Sequence, residues 1–396
     1  MACVVGHPTL VVGCCNQAAD GATGRREPTV MTSVPSAAEL IHLGMDTSVK
    51  EIVVAVLRPG QEIPAVDRIG NDEESVRRLI ARFPDRRLLS ACYEAGPGGY
   101  ELHRLLTSMG VACDVVAPSL IPKGSSDRVK TDRRDSVRLV LTHRAGLLTA
   151  VRVPSPAEEA VRDLVRARAD LVDDRKRMQQ RLNAVLLRHG RVWRGGSKWT
   201  YAHRAWIDKQ VFAESALAET LALYRGALEA REAELAAVDR QLSAWAHRDP
   251  LAGPVARLGG YRGIAELTGL TLAAEVIDWR RFASARAFMG FTGLICSEYS
   301  SGSRTRRGSI TKAGPQAVRT ALVEAAWAYR SRPRIGADLR RRQDGLPPAT
   351  LARSWKAQQR LHATYAKMTA RGKPPGVVIT AVARELAGFV WAEMTS

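Results

Sequence analysis

The spacing of apolar residues divides this chain into two regimes. Short, β-branched runs come first. Glu39-Leu40-Ile41-His42-Leu43-Gly44-Met45-Asp46 and Glu51-Ile52-Val53-Val54-Ala55-Val56-Leu57 are separated by a polar turn, the signal of a β-hairpin. The pattern then predicts a helix from Asp72 to Phe83, a strand at Leu88 to Glu94, a helix near Gly99 to Met109 and a strand at Cys113 to Val116. Strands alternating with helices imply an α/β layer.

Helical spacing takes over afterwards. From Ala157 to about His189, apolar positions such as Val161, Leu164, Val165, Leu171, Val172, Met178 and Leu182 recur at helical intervals among many charges. A second long helix is expected from about Ala213 to Ala246, so the two predict a helical hairpin or coiled coil. Between them, Trp193, Trp199 and Trp206 stand among Arg and Lys. That stretch reads either as a tip contacting nucleic acid or a partner subunit, or as an ordinary packed turn. Further on, Gly259-Gly260-Tyr261-Arg262-Gly263-Ile264 followed by Leu270-Thr271-Leu272-Ala273-Ala274-Glu275 resembles a helix-hairpin-helix, whose glycines let backbone amides approach phosphate. From Gln316 the chain is mostly helical, broken at Arg332-Pro333 and Leu346-Pro347-Pro348. The expected division is a disordered leader (1–36), an α/β domain (37–154), a helical region (155–250) and a C-terminal domain (251–396). Met31 is a possible natural start.

Charge narrows the class. The chain carries 59 Lys and Arg against 40 Asp and Glu, a net +19. From Cys296 onward there are 18 basic and 6 acidic residues, so +12 of that excess lies in the last quarter. A concentrated basic surplus suits a phosphate backbone, whose condensed counterions it releases, although a solvated arginine-rich surface gives the same count. The six cysteines form no Cys-x-x-Cys pair with nearby His, which argues against zinc; Cys92 and Cys113 read as reduced core residues. No apolar run reaches the ~20 residues a bilayer needs, and no signal peptide opens the chain, so a cytoplasmic location is expected.

Candidate chemistry begins with carboxylates. Asp46 and Glu94 each end a predicted strand, where a side chain can project into a cleft. Lys130-Thr131-Asp132-Arg133-Arg134-Asp135-Ser136 opens a helix and puts Asp132 and Asp135 on one face. Singly, each has a plain explanation as a turn residue, an N-cap or a partner of the helix dipole. Together, four acids from two strands and a helix start can hold two divalent ions about 4 Å apart and promote in-line attack on a phosphodiester. Magnesium suits such hard oxygen ligands.

A second candidate is Met289-Gly290-Phe291-Thr292-Gly293-Leu294, then Ser297-Glu298-Tyr299-Ser300-Ser301-Gly302-Ser303, then Arg304-Thr305-Arg306-Arg307-Gly308-Ser309-Ile310-Thr311-Lys312-Ala313-Gly314. Glycines, hydroxyls and cations before a helix make a phosphate cradle in which a serine can act as nucleophile, or else a basic loop whose serines only hydrogen-bond.

These two markers, in this order, resemble the insertion-sequence transposases of the DEDD type, the IS one-ten and IS eleven-eleven family that includes the pilin-gene inversion recombinase. The N-terminal marker is Gly44-Met45-Asp46-Thr47-Ser48 with Tyr93-Glu94-Ala95 and Lys130-Thr131-Asp132-Arg133-Arg134-Asp135. The C-terminal one runs from Gly293-Leu294 through Ser300-Ser301-Gly302 to Lys312-Ala313-Gly314. The resemblance covers the chain from about Glu39 to the end; at the hairpin turn this chain has Tyr261-Arg262-Gly263-Ile264 where the family commonly shows Pro-Gly-Ile.

The resemblance implies a RuvC-like, RNase H-type domain with Asp46, Glu94, Asp132 and Asp135 as Mg2+ ligands, a coiled-coil insertion and a C-terminal transposase domain. It implies a serine nucleophile preceding a glycine, which is Ser301, with Ser300 as the alternative. Arg304, Arg306, Arg307, Lys312, Lys130 and Arg133 are then the candidates to contact nucleic acid. The implied partners are donor and target DNA, a structured non-coding guide RNA, and further copies of the chain as a dimer that becomes a tetramer in the synaptic complex. The rival functions are a structure-specific junction endonuclease working through the carboxylates alone and a non-catalytic RNA- or DNA-binding scaffold.

Overall fold

A computed structural model describes residues 39–118, 121–122, 131–300 and 306–396. The expected leader, Lys130, Ser301 and Arg304 lie outside the described residues. The chain forms two compact units, Met1–Val151 and Arg152–Ser396.

The first unit is a five-stranded sheet ordered β3-β2-β1-β4-β5. β1 (Ile41–Thr47) and β2 (Glu51–Leu57) form the expected antiparallel hairpin, closed by Ser48, whose backbone N–H donates to the Glu51 carbonyl at 2.9 Å. β4 (Leu89–Glu94) runs parallel to β1, and β5 (Ala112–Val116) parallel to β4. β3 (Ala65–Gly70) pairs antiparallel with β2 at the sheet edge. The pattern does not announce it, because Asp67 and Arg68 interrupt its apolar residues, which an edge strand tolerates. α1 (Glu73–Ala81) starts at Asp72, whose carboxylate accepts from Ser75 N at 2.8 Å. α2 is Glu101–Ser108 and α3 is Asp132–Arg144. Cys92 is wholly buried and Cys113 half-buried; desolvation raises both thiols, Cys113 to about 12, so both stay protonated packing groups at neutral pH. This is the mixed α/β layer expected from the sequence, and it agrees with an RNase H-type domain.

The second unit is almost entirely helical. α4 (Pro156–Arg188) opens with a capping box: Ser155 accepts from Glu158 N, Glu158 reaches back to Ser155 N, and Pro156 fills the first helical position. After α5 (Tyr201–Asp208), α6 (Ser215–Ala246) returns alongside α4. Leu221, Leu228, Leu235 and Leu242, seven residues apart, are its buried stripe. Leu182 and Leu186 share a core with Leu221 and Leu228, while Val161 and Val165 pack with Leu242 and Ala246, so the helices are antiparallel. Arg168 and Asp239 bridge them at 2.5 Å.

The rest of this unit comprises α7 (Ala252–Gly259), α8 (Glu266–Val276), α9 (Ala285–Phe291), a hairpin of β6 (Cys296–Glu298) and β7 (Arg307–Ile310), then α10 (Gln316–Ala326), α11 (Ala337–Gln343), α12 (Pro348–Ala370) and α13 (Pro375–Thr395). Leu258, Tyr261, Phe288, Leu322, Leu361 and Leu386 belong to its main core. Buried Glu393 pins α13: it accepts from Arg257 Nε at 2.8 Å, Thr350 Oγ1 at 2.7 Å, the Tyr261 hydroxyl at 3.1 Å and Arg353. No helix among the described residues is long and apolar enough to cross a membrane.

The helix–turn–helix at Gly259–Ile264 forms, with Tyr261 and Ile264 buried beneath it and Gly263 exposed at the turn. Tyr261 and Ile264 are fully buried, and a Cβ on Gly263 would lie 2.2 Å from the Ala325 carbonyl oxygen. The amides of Gly260, Tyr261 and Ile264 donate to carbonyls of the same segment. The carbonyls of Gly259 and Ile264 accept from Arg342, and that of Gly260 from Gln343 and Ser354. These three amides are committed to closing the turn.

Candidate catalytic site

Three contacts fix how α3 lies on the sheet. His143, near its C-terminus, meets His42 at the start of β1, with ring centroids 5.3 Å apart. Ser136 and Val140, in its middle, meet Gly44: a Cβ there would stand 2.5 Å from both Ser136 O and Val140 N, so only glycine admits the helix. The Cys92 thiol lies 3.7 Å from the Leu139 carbonyl. The helix therefore runs antiparallel to β1 and β4, with its N-terminus toward the strands' carboxyl ends.

Side chains two apart on a strand share a face, so Asp46 follows Gly44, and Glu94 follows Cys92, on the side that α3 covers. The parallel register pairs Gly44 with Cys92 and Met45 with Tyr93, which brings Asp46 and Glu94 to adjacent strand ends. Asp135 precedes Leu139 by four residues, about 6 Å of helix, matching the ~6.6 Å of strand from Cys92 to Glu94. Asp46, Glu94 and Asp135 thus belong to one end of the sheet on one face, with Asp132 three residues earlier on the same helix.

The four differ in surroundings. Asp46 and Glu94 are half-buried and Asp132 is exposed in the first turn of α3. Asp135 is 5% exposed, and Arg138 Nη2 donates to its Oδ1 at 2.6 Å. Thr131 takes the N-cap, its hydroxyl accepting from Arg134 N at 3.4 Å, so Asp132 is not the cap. Among the described residues no three His, Cys, Asp or Glu side chains are gathered closely enough to hold a metal ion. The donor chemistry fits a hard divalent cation. The side chains do not form a closed cage, and Arg138 supplies the positive charge beside Asp135. Arg133 is exposed next to this turn.

The serine segment belongs to the second unit, on β6 and β7. Its base is a crossing of two glycine turns. Gly293 (φ +68) would place a Cβ 2.2 Å from Ala313 O, and Gly314 (φ +71) one 1.8 Å from Phe291 O. Lys312 N donates to Gly293 O at 3.1 Å, and Arg319 donates to the carbonyls of Thr292 and Ala313. Above that base, Ser300 Oγ donates to Glu298 Oε1 at 2.8 Å, and Arg307 stands 3.6 Å from the same carboxylate. Arg306, Arg307 and Lys312 are exposed. Ser301 follows Ser300 directly in the connection between β6 and β7.

Both places fall inside recognised sequence families. Residues 43–190 match a DEDD transposase family model, and residues 255–339 match one described as the transposase IS116/IS110/IS902 family. A protein of Sinorhizobium fredii named as a transposase is 40% identical over 377 residues, 94% of this chain and 93% of that relative. The chain belongs to this transposase family. The transposase for insertion sequence element IS1533 of Leptospira borgpetersenii is 31% identical over 84% of this chain and 98% of its own length. That for IS1111A of Coxiella burnetii is 24% identical over 59% of this chain.

This transposase is therefore an enzyme that acts on DNA. Its DEDD match runs beyond the α/β unit to the end of α4, and its second match begins in α7 and ends in α11. Sequence reasoning overlooked two side chains at the transposase's candidate sites. Arg138 was legible as an i,i+3 partner of Asp135. Glu298 stands two residues before Ser300, a spacing that becomes meaningful only once β6 brings its carboxylate to that hydroxyl.

Proposed function

We propose that this transposase inserts and excises its mobile element by cutting and rejoining DNA, with Asp46, Glu94, Asp132 and Asp135 as the acidic quartet and Ser301 as nucleophile. The observation that supports the reading is that the His42, Gly44 and Cys92 contacts turn the start of α3 toward the strand ends that carry Asp46 and Glu94. Bound there, Mg2+ would polarise the scissile phosphate and offset charge on the departing oxygen. To help hold the ion, Asp135 would have to give up its contact with Arg138. Ser301 Oγ forms a bond to phosphorus as the bond to one sugar oxygen breaks. The serine proton passes to that departing oxygen, and the reverse step reseals the strand. Arg304, Arg306, Arg307 and Lys312 hold phosphates near the serine, and Lys130 and Arg133 contact nucleic acid from the first unit.

The +12 surplus in the last quarter suits binding to a nucleic-acid backbone, and the family resemblance implies a structured guide RNA encoded by the element as a partner besides DNA. The α4–α6 pair serves as the coiled-coil arm of an oligomer that brings two DNA partners together. A magnesium-dependent recombination assay with RNA transcribed from the element's flank tests this reading. Ser301→Ala and Asp46→Asn are each expected to abolish recombination while leaving nucleic-acid binding largely intact. Cleavage that persists in Ser301→Ala would assign the chemistry to the carboxylates alone, as in a junction endonuclease.

A further inference from the structure

The far end of the α4–α6 hairpin carries a feature that the cutting chemistry does not use. Asn183 and Leu187 of α4, Arg191 and Trp193 of the following segment, and Lys198 and Trp206 line a cavity of about 350 Å³. That volume is within the ~300–1,000 Å³ range of small-ligand sites. Gln180 and Asn183 add amide groups at its wall, and among the described residues none that lines it is acidic.

The aromatic side chains are held in place from behind. His203 is fully buried and stacks on Trp206 (centroids 5.7 Å apart, planes at 16°), with Trp193 and Trp199 edge-on at 5.3 and 5.2 Å. Its Nδ1 accepts from Trp199 N at 2.9 Å, which fixes Trp199 at φ +64. Trp193 Nε1 donates to the Gly196 carbonyl at 3.1 Å, locking the ring. Arg204 ties α5 to α6 through both oxygens of Glu232, at 2.8 and 2.6 Å. The tryptophan walls are thus preorganised, while Leu187 at the rim is 65% exposed.

We propose that this tip binds an unpaired base of single-stranded DNA. Aromatic and aliphatic walls match a base ring, amides match its polar edge, and Arg191 and Lys198 match the phosphates on either side. A paired base cannot enter, because its faces are already covered in the stack. DNA is the occupant because the chain is a transposase, whose cuts expose single strands. The pocket serves to hold such a strand apart while the ends are exchanged, a role separate from the quartet and the serine.

The test uses the full-length chain with a fluorescent twelve-nucleotide oligo(dT), the same oligomer carrying 5-iodouracil for photo-cross-linking, a duplex of equal length and oligo(rU). Tryptophan quenching by oligo(dT) and cross-links within residues 180–206 are expected. Leu187→Glu and Lys198→Glu should weaken the quenching signal about tenfold, in line with stacking worth ~1–3 kcal/mol per base. Both side chains are exposed, so melting temperature and circular dichroism should match the parent chain. Cross-links confined to other peptides, quenching unchanged in both variants, or equal quenching by duplex would overturn the proposal. Stronger quenching by oligo(rU) would overturn the assignment to DNA.

Discussion

The two candidate sites of this transposase are built by opposite means. The acid end of the α/β unit is set by buried contacts: a helix seated on a glycine, a thiol against a helix carbonyl, a pair of histidine rings. The serine segment rides on an exposed two-stranded hairpin whose definition comes from its base, where Gly293 and Gly314 let two backbone turns cross. One site borrows rigidity from a core. The other is anchored at a single crossing and carries its chemistry beyond it. On the proposed reading, a quartet gathering metal would need fixed directions, whereas a nucleophile reaching a phosphate would need access.

The sharpest way to break this comparison is to remove each anchor. Gly44→Val puts side-chain atoms where Ser136 O and Val140 N already stand, so α3 must lift from β1. A loss of about 3 kcal/mol or more in urea unfolding is expected, together with loss of recombination. A parent-like midpoint would mean that α3 does not depend on Gly44. Gly314→Ala should cost less, about 1–3 kcal/mol, because strain at positive φ and the Phe291 clash stay local. Recombination should fall while the α/β unit keeps its protease resistance. Equal damage to both units would erase the contrast.

Buried charge gives an effect comparable with that of Gly44→Val. Glu393→Ala strips the partner from Arg257 and Arg353 and should cost about 3–5 kcal/mol in the helical unit. Acid titration distinguishes the units. Burial opposes the Glu393 charge, but Thr350, Arg257 and Arg353 overcome it and hold the carboxyl below its ordinary 4.5. Its stabilisation is present above that value and is lost as pH falls through the lowered one. In the α/β unit, burial first, then His143 and Arg144, hold His42 below its ordinary 6.5. The unfolded chain then takes up that proton first, so stability falls as pH drops through about 6.5. Unit-resolved hydrogen exchange should show the α/β unit loosening at the higher pH. Simultaneous loosening of both would contradict the assignment.

Smaller effects sharpen the sites themselves. If Arg138 balances Asp135 until metal arrives, Arg138→Gln should lower the magnesium concentration for half-maximal activity severalfold, read from a titration of recombination rate. An unchanged requirement would remove Arg138 from the exchange. Ser300→Ala deletes an exposed hydrogen bond to Glu298, so stability should stay within about 0.5 kcal/mol. Its recombination rate should fall far less than that of Ser301→Ala; the reverse order would make Ser300 the nucleophile.

The sequence by itself determined the element order, because apolar spacing of two or near four follows from local backbone geometry that each segment expresses alone. It also determined the residue types of both sites, and the two family markers kept them in order. Only tertiary structure decided the rest. The edge strand β3 exists because β2 offers it hydrogen bonds, not because Asp67 and Arg68 favour a strand. The close approach of Gly263 to α10 was decided by packing. Arg257 and Arg353 count toward the basic surplus in the sequence, yet the fold assigns them to Glu393. Asp46 and Glu94 lie on strands and Asp132 and Asp135 on a helix, and what brings that helix's start toward the strand ends is its seat on a missing side chain. Contacts between distant segments depend on what each meets, and no local pattern encodes that.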